Sequence, residues 1–455
     1  MSVQSKLIDI ANTCSCRDYI HPWTASCACG SAGMLLAGLR GSFRTYSTVY
    51  LLALLLRMRI PRVKDLQNTL TGILQSTVFL AMNGSIFGLL VCWIRLALGR
   101  YYLSTVAFWP TFISSMLALN IERPERRPAL ALYVANVGLE TLWNMLEVRG
   151  LVRSIPNGQV LIMGVSVTAL LYLYRAGLHK TVAKDATFKA IQLLVGKEEE
   201  GRLKTPAVTT TQSSRSRPFN FQSISAYVQL YDRLRTSKHP SCPHREGCAP
   251  YALLGGAKLF LGGVGVQVGL RLLLSIGKII KMKMEWRKQI FNKNSLQLGL
   301  ALGTFSLIYK AVSCSLRHGC GYDSATFAIP AGLLGSIGLL RFPNTTIALY
   351  AMWKALQLFY TWGIEEGVLP EVPHFVFIMY SFFTAILFHA NIMEAQTVRP
   401  SYYNFLMNIS GNRISRFDTQ AFEGYGLNSY HQVCEVVKKL KIDMTSPYPS
   451  FALAV

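Results

Sequence analysis

A chain of 455 residues that is 51% hydrophobic and only 15% charged, with a mean hydropathy of +0.30, is composed as a multi-pass membrane protein and not as a soluble globule. A net charge of +23 would suit nucleic acid if it were gathered on one folded face. Here the basic residues sit between apolar segments, as in cytosol-facing loops beside anionic head groups, so membrane lipids and no nucleic acid are the expected partners.

The first residues carry no secretory signal pattern. Asn12 to Gly30 then brings Cys14, Cys16, His21, Cys27 and Cys29 close together, in number and type sufficient for a zinc or redox site. Their CxC pairs are not the CxxC spacing of common zinc knuckles, and a cap of buried free thiols is the alternative. Met34 to Leu56 is apolar but interrupted by Arg40 and Arg44, which suits an interfacial helix or a further span. Residues 1–70 are therefore expected to be a cysteine-rich cytosolic segment with an interfacial helix.

Thr71 to Ile94 has no charged residue and is long enough to cross a hydrocarbon core. Tyr101 to Asn120, Ala129 to Val148 and Gln159 to Tyr174 complete a first bundle within residues 71–176. The third of these carries Asn136, Glu140 and Asn144 at intervals of four, a stripe on one helical face. A carboxylate cannot face lipid cheaply, so the stripe either lines a path for a polar solute or head group, makes an interhelical network, or marks an amphipathic surface helix.

Residues 177–250 read as a basic, partly disordered linker, with almost nothing apolar to bury between Thr205 and Pro218 and with Ser213, Ser214 and Ser216 as candidate phosphorylation sites. A second Cys/His segment ends it: His239, Cys242, His244 and Cys248. Residues 251–294 are expected to be an interfacial glycine-rich helix and a basic segment. A second bundle follows in 295–397, with spans at Leu296 to Ser315, Ser324 to Leu340, Thr346 to Gly363 and Phe375 to Met393, and 398–455 forms a C-terminal tail.

The two bundles repeat one another. Leu130 to Gly158 aligns without a gap on Ile347 to Phe375 at a displacement of 217, placing Gly150 on Gly367 and Pro156 on Pro373. Upstream the displacement drifts to 220 for Pro110 and Pro330, and to 222 for Leu74 with Leu296 and Arg95 with Arg317. The expected fold is thus all-α: a multi-pass membrane protein of two duplicated four-helix transmembrane bundles. GxxxG pairs recur in the first span of each, as Gly84 with Gly88 and Gly299 with Gly303, spaced for close helix packing. The loop charges favour eight spans with residues 1–70, 175–293 and the tail in the cytosol, ten being the alternative.

No GxSxG, HExxH, Walker loop or dinucleotide fingerprint is present, so no catalytic residue, cofactor or enzymatic activity is expected. His21, Pro22, Trp23, Ser26 and Cys27, with the stretches Leu193 to Glu199, Gln297 to Lys310, Gly363 to His374 and Met393 to Phe405, resemble the transmembrane protein 135 family. More distantly the spans are similar to the mitochondrial protein-import channel superfamily. The resemblance implies a protein of mitochondrial and peroxisomal membranes that influences the fission and fusion balance, peroxisome organisation and lipid handling. It makes the dynamin-related fission machinery a candidate partner, with a transporter or lipid-handling role as the alternative.

Overall fold

The computed structural model describes residues 14–55, 62–178, 186–201, 238–244, 246–280 and 295–442. The Thr205 to Pro218 stretch with its three serines lies outside them, as does most of the basic run before 294. Among the described residues the regular structure is all helical: α1 (Cys27–Leu55), α2 (Val63–Leu98), α3 (Phe108–Ala118), α4 (Arg127–Val148), α5 (Gly158–Ala176), α6 (Ala186–Val195), α7 (Cys248–Ile280), α8 (Gln297–Cys320), α9 (Ala328–Gly335), α10 (Thr345–Glu365), α11 (Phe375–Met393), α12 (Pro400–Ser410) and α13 (Ser429–Leu440).

Local chemistry sets several of the ends. Asp65 accepts the Arg62 N–H at 3.2 Å at the start of α2, and Gly99, at φ +72°, closes its end by donating to Arg95 O. Gly321, at φ +77°, does the same for α8 by donating to Arg317 O. The loops entering α5 and α11 each use one left-handed glycine, Gly150 and Gly367 at φ +71°. Each then turns into its helix through a left-handed residue, Asn157 and His374 at φ +58°. Both pairs are related by the displacement of 217 read from the sequence.

The chain forms two compact units, residues 1–154 with 372–455 and residues 155–371. In the first, α1 and α2 form an antiparallel hairpin, α3 packs on α2, and α11 packs on both α3 and α4. In the second, α7 and α8 form the hairpin, α9 packs on α8, and α5 packs on α9 and α10. The contiguous bundles 71–176 and 295–397 are therefore not what the compact units contain. The fourth helix of each sequence repeat belongs to the unit that holds the first three helices of the other.

Five described helices are long and apolar enough to cross a membrane: Val63–Leu98, Gly158–Ala176, Cys248–Leu272, Gln297–Cys320 and Phe375–Met393. The protein is a multi-pass membrane protein. This set differs from the eight expected spans in physical detail. Leu103–Ala118 and Ala325–Arg341 are short apolar stretches, and the α3 and α9 helices within them place Pro110 and Pro330 in their first turn, where the missing N–H costs least. Helices α4 and α10 form where expected but are too polar to qualify. The stretch expected to lie in the interface from residue 251 is instead part of a 33-residue helix whose first 25 residues can span.

The expected tail is also folded. Tyr403 and Phe422 are fully buried, α12 packs on α1, and α13 packs on the end of α11. In the second unit α6 and the turn Lys197–Glu199 leave the linker to pack beside α5 and α8.

Candidate metal centres

The segment before α1 is fixed by its own hydrogen bonds and by an aromatic clasp. Ser15 Oγ accepts the Asp18 N–H at 3.2 Å and the Asp18 carboxylate accepts the Ser15 N–H at 3.1 Å, a reciprocal cap on the start of the turn Cys16–Tyr19. Tyr19, wholly buried, packs edge-on against Tyr101, Phe417 and Phe422, and its carbonyl accepts the Asp418 N–H at 3.0 Å. Cys16 and His21 are thereby held at the first turn of α1, where Cys27 lies. The His21 side chain packs on Gly30, at which a Cβ would come within 3.0 Å of its Cβ and 3.1 Å of its ring. Cys92, in the last two turns of α2, completes the group. One ligand atom from each of Cys16, His21, Cys27 and Cys92 lies within 4.8 Å of every other.

A second group has the same makeup. Cys242, His244, Cys248 and Cys314 also offer four ligand atoms within 4.8 Å of one another. Cys248 opens α7 and Cys314 lies in the last two turns of α8, so again the two helices of a hairpin meet a short preceding segment at one end. Ser241 Oγ ties that segment to the helix end by donating to Gly321 O at 2.8 Å. The His244 ring stacks on Tyr251 with centroids 4.3 Å apart, and Tyr251 in turn donates to Val195 O at 3.2 Å. Tyr251 follows Cys248 by the interval at which Gly30 follows Cys27, so the two histidines rest on corresponding positions.

Both imidazoles are oriented through Nδ1 by a backbone carbonyl, Thr24 O at 2.9 Å for His21 and Glu246 O at 2.5 Å for His244. This leaves Nε2 free to act as an acceptor or ligand. His244 Nε2 is 3.4 Å from Cys314 Sγ, and Cys242 Sγ is 3.7 Å from Cys248 Sγ. All of these cysteines are free thiols. Hydrogen bonding to Cys314 outweighs burial at Cys242 and pulls its thiol well below the usual cysteine value.

The groups differ from the expected set at both edges. Cys14 stays outside the first; burial pushes its thiol up to about 11, and its carbonyl accepts from Arg95 Nε at 3.0 Å. Cys29 is exposed. His239 pairs with the His318 ring at 4.9 Å. Cys92 and Cys314 were not among the expected ligands, although they stand 222 residues apart, the displacement that already relates Arg95 to Arg317.

The polar stripe of α4 meets the segment that follows α11. Arg399 donates from Nε to Glu140 Oε1 at 3.3 Å and makes a second, closer contact to the other oxygen. Asn144 Nδ2 donates to Thr397 O at 2.9 Å, and Asn136 is buried. The glycine pairs are unequal. A Cβ at Gly299 would meet Phe260 O at 2.6 Å and one at Gly303 would meet Phe260 Cβ at 2.9 Å, across the α7–α8 contact. A Cβ at Gly84 would make only an ordinary contact to Met34, and at Gly88 it would meet nothing within 4 Å. A buried charge cluster in the second unit was not anticipated: Arg317, fully buried, grips Glu199 through two hydrogen bonds of 2.9 and 2.6 Å. Arg175 and Asp323 complete it. Burial alone would push the Glu199 carboxyl up, but the Arg317 and Arg175 charges hold it below the usual range.

Residues 13–147 match the family model described as the N-terminal cysteine-rich region of Transmembrane protein 135. The matched region contains all four residues of the first group, Cys92 included. Over these residues the chain is similar to the transmembrane protein 135 family. No solved structure matches the chain. Within the matched region the fold gives the cysteines a spatial meaning: three of them converge with His21, and two others, Cys14 and Cys29, do not. The second group lies beyond the matched residues, in the other compact unit.

Proposed function

We propose that this membrane protein is a non-enzymatic organiser of mitochondrial and peroxisomal membranes, regulating the balance of mitochondrial fission and fusion and the organisation of peroxisomes by recruiting or activating the dynamin-related fission machinery. The organelles and the process come from the family resemblance. The observation that favours an organiser over a transporter is the use of the α4 stripe: the Glu140 carboxylate is paired with Arg399, and Asn144 is spent on a backbone carbonyl. A charge committed to an ion pair within a fold is a tie between segments, whereas a transport path needs polar groups that can exchange partners with a solute.

In this reading the two units are copies of one duplicated module whose fourth helices are exchanged. This reading takes α7 as a span, which the eight-span count did not; α1, the other segment that the ten-span alternative needs, is not among the five candidate spans. Cys248 and Cys314 meet at one end of the α7–α8 hairpin, so α7 must return through whatever thickness α8 crosses. The basic linker before α7 then remains available to acidic lipid head groups and to a partner on the cytosolic side.

The test uses the full chain in two settings. Returned to cells lacking it, the protein is expected to shift mitochondria toward shorter units and to change peroxisome number. Reconstituted alone in liposomes, it is expected to move neither lipid nor small solutes faster than protein-free liposomes do. Robust lipid or solute movement in liposomes would replace the organiser reading with the transporter or lipid-handling one.

A further inference from the structure

We propose that the chain binds two Zn²⁺ ions, one held by Cys16, His21, Cys27 and Cys92 and the other by Cys242, His244, Cys248 and Cys314. With Zn–S of about 2.3 Å and Zn–N of about 2.0 Å, the edges of a tetrahedral site are about 3.8 Å between two sulfurs and about 3.5 Å between sulfur and nitrogen. The measured 3.7 Å for Cys242 to Cys248 and 3.4 Å for Cys314 to His244 Nε2 fall on these edges. A disulfide would need its sulfurs at about 2.05 Å. It would also leave one sulfur and one imidazole of each group without a role.

The histidines supply an independent observation. His21 is 4% exposed, and its Nε2 is buried without a hydrogen-bond partner while Nδ1 is held by Thr24 O. A buried polar atom left unpaired costs about 1–3 kcal/mol, and coordination to a metal removes that cost. The orientation of the other nitrogen by a carbonyl is the usual support of a metal-bound imidazole. His244 has the same arrangement through Glu246 O.

The duplication sharpens the argument because the spacing is not copied. The first group draws its ligands from Cys-x4-His-x5-Cys and the second from Cys-x-His-x3-Cys, yet each converges on a cysteine at the corresponding place in the second helix of a hairpin. Different loops that reach one donor set point to selection on the set. Three thiolates with one imidazole favour Zn²⁺ over the oxygen-seeking cations, and four protein ligands leave no open position, so the ions are structural. Each would join the segment before its hairpin to the adjacent ends of both helices.

The full-length chain, purified in detergent without chelators, is expected to carry about two equivalents of zinc by elemental analysis. Cys92→Ser and Cys314→Ser are each expected to lose one equivalent, and the double variant both. Cys29→Ser and Cys434→Ser, at exposed cysteines outside the groups, are expected to retain both. Since a ligand variant can fail to fold, the parent chain is also to be produced with Co²⁺ in place of zinc. Thiolate-to-cobalt charge transfer with the intense visible bands of a tetrahedral ion is the expected spectrum. A monodisperse parent that carries no zinc, that carries iron instead, or whose intact mass shows disulfides within the groups would overturn the proposal.

Discussion

Arg399, at the entry to α12, reaches back across 259 residues of chain to pair its guanidinium with Glu140 on α4. Both side chains keep about a fifth of their surface, 22% and 23%, so the pair is only partly buried. Its worth should lie between a surface pair and a buried one, about 1–2 kcal/mol. Arg399→Ala and Glu140→Leu are each expected to lower the thermal midpoint in detergent, and the double variant Glu140→Leu with Arg399→Ala to lose less than the sum. The charge exchange Glu140→Arg with Arg399→Glu is expected to recover part of the loss. Normal stability in Glu140→Leu with abolished function in cells would instead make Glu140 a path residue.

Glu199 is the acid on which two buried arginines depend. Glu199→Gln leaves Arg317 and Arg175 sharing Asp323 alone and is expected to cost about 3–5 kcal/mol, read as a large fall in thermal midpoint. Its folded-state value lies below that of an unfolded glutamate, about 4.3, so its stabilisation is complete above that pH and is lost as pH falls through the folded value. The difference between parent and Glu199→Gln should therefore be constant near neutrality and shrink in acid. A difference that grew on acidification would contradict the pairing.

The α7–α8 hairpin predicts which positions share a face of the membrane. In a background that keeps all eight clustered residues, Lys238→Cys and the exposed native Cys320 are expected to react with an impermeant thiol reagent from one side. Leu296→Cys, exposed at the start of α8, is expected to react only from the other. Reaction of all three from one side would return α7 and α8 to the membrane surface.

The glycine pairs predict opposite responses to the same change. Gly299→Ala puts a methyl against Phe260 O and Val264 and is expected to cost about 1–3 kcal/mol. Gly88→Ala meets open space and removes a flexible residue from a helix interior, for an expected gain of up to about 1 kcal/mol. Thermal midpoints of the two variants side by side are the measurement; equal losses would mean that both glycines are contact sites.

Much of the local structure was legible because it is local. The displacement of 217 that aligns Gly150 with Gly367 anticipates two loops of the same left-handed design, and apolar runs, three of them without charge and one interrupted only by Lys310, anticipate four of the five candidate spans. Long-range partners were not. Cys92 is a single thiol in an apolar helix, where the ordinary reading is a small core residue. Only its relation to Cys314, and a fold that brings Cys27 beside it, make it a candidate ligand. Glu199 and Arg317 read as loop charges because nothing in a one-dimensional pattern says that a carboxylate near a linker will be carried to the end of α8. The exchange of α5 and α11 was hidden for the same reason: sequence fixes the order of helices along the chain, not which neighbours their faces will find.

That exchange gives the protein a timetable. The face of α3 and α4 that will receive α11 is synthesised early, and its partner emerges some 230 residues later, which at about 5–20 residues per second is on the order of ten to fifty seconds of translation. The first unit therefore cannot be completed as it leaves the ribosome; it waits, with an apolar face open, until the whole intervening unit has been made. A fragment ending after α5 would carry one helix that belongs elsewhere and lack one it needs, so separate expression of the two sequence repeats should give aggregation-prone halves. A division that respects the spatial units has to cut the chain twice, near residues 154 and 372, and supply the outer piece as two strands of polypeptide.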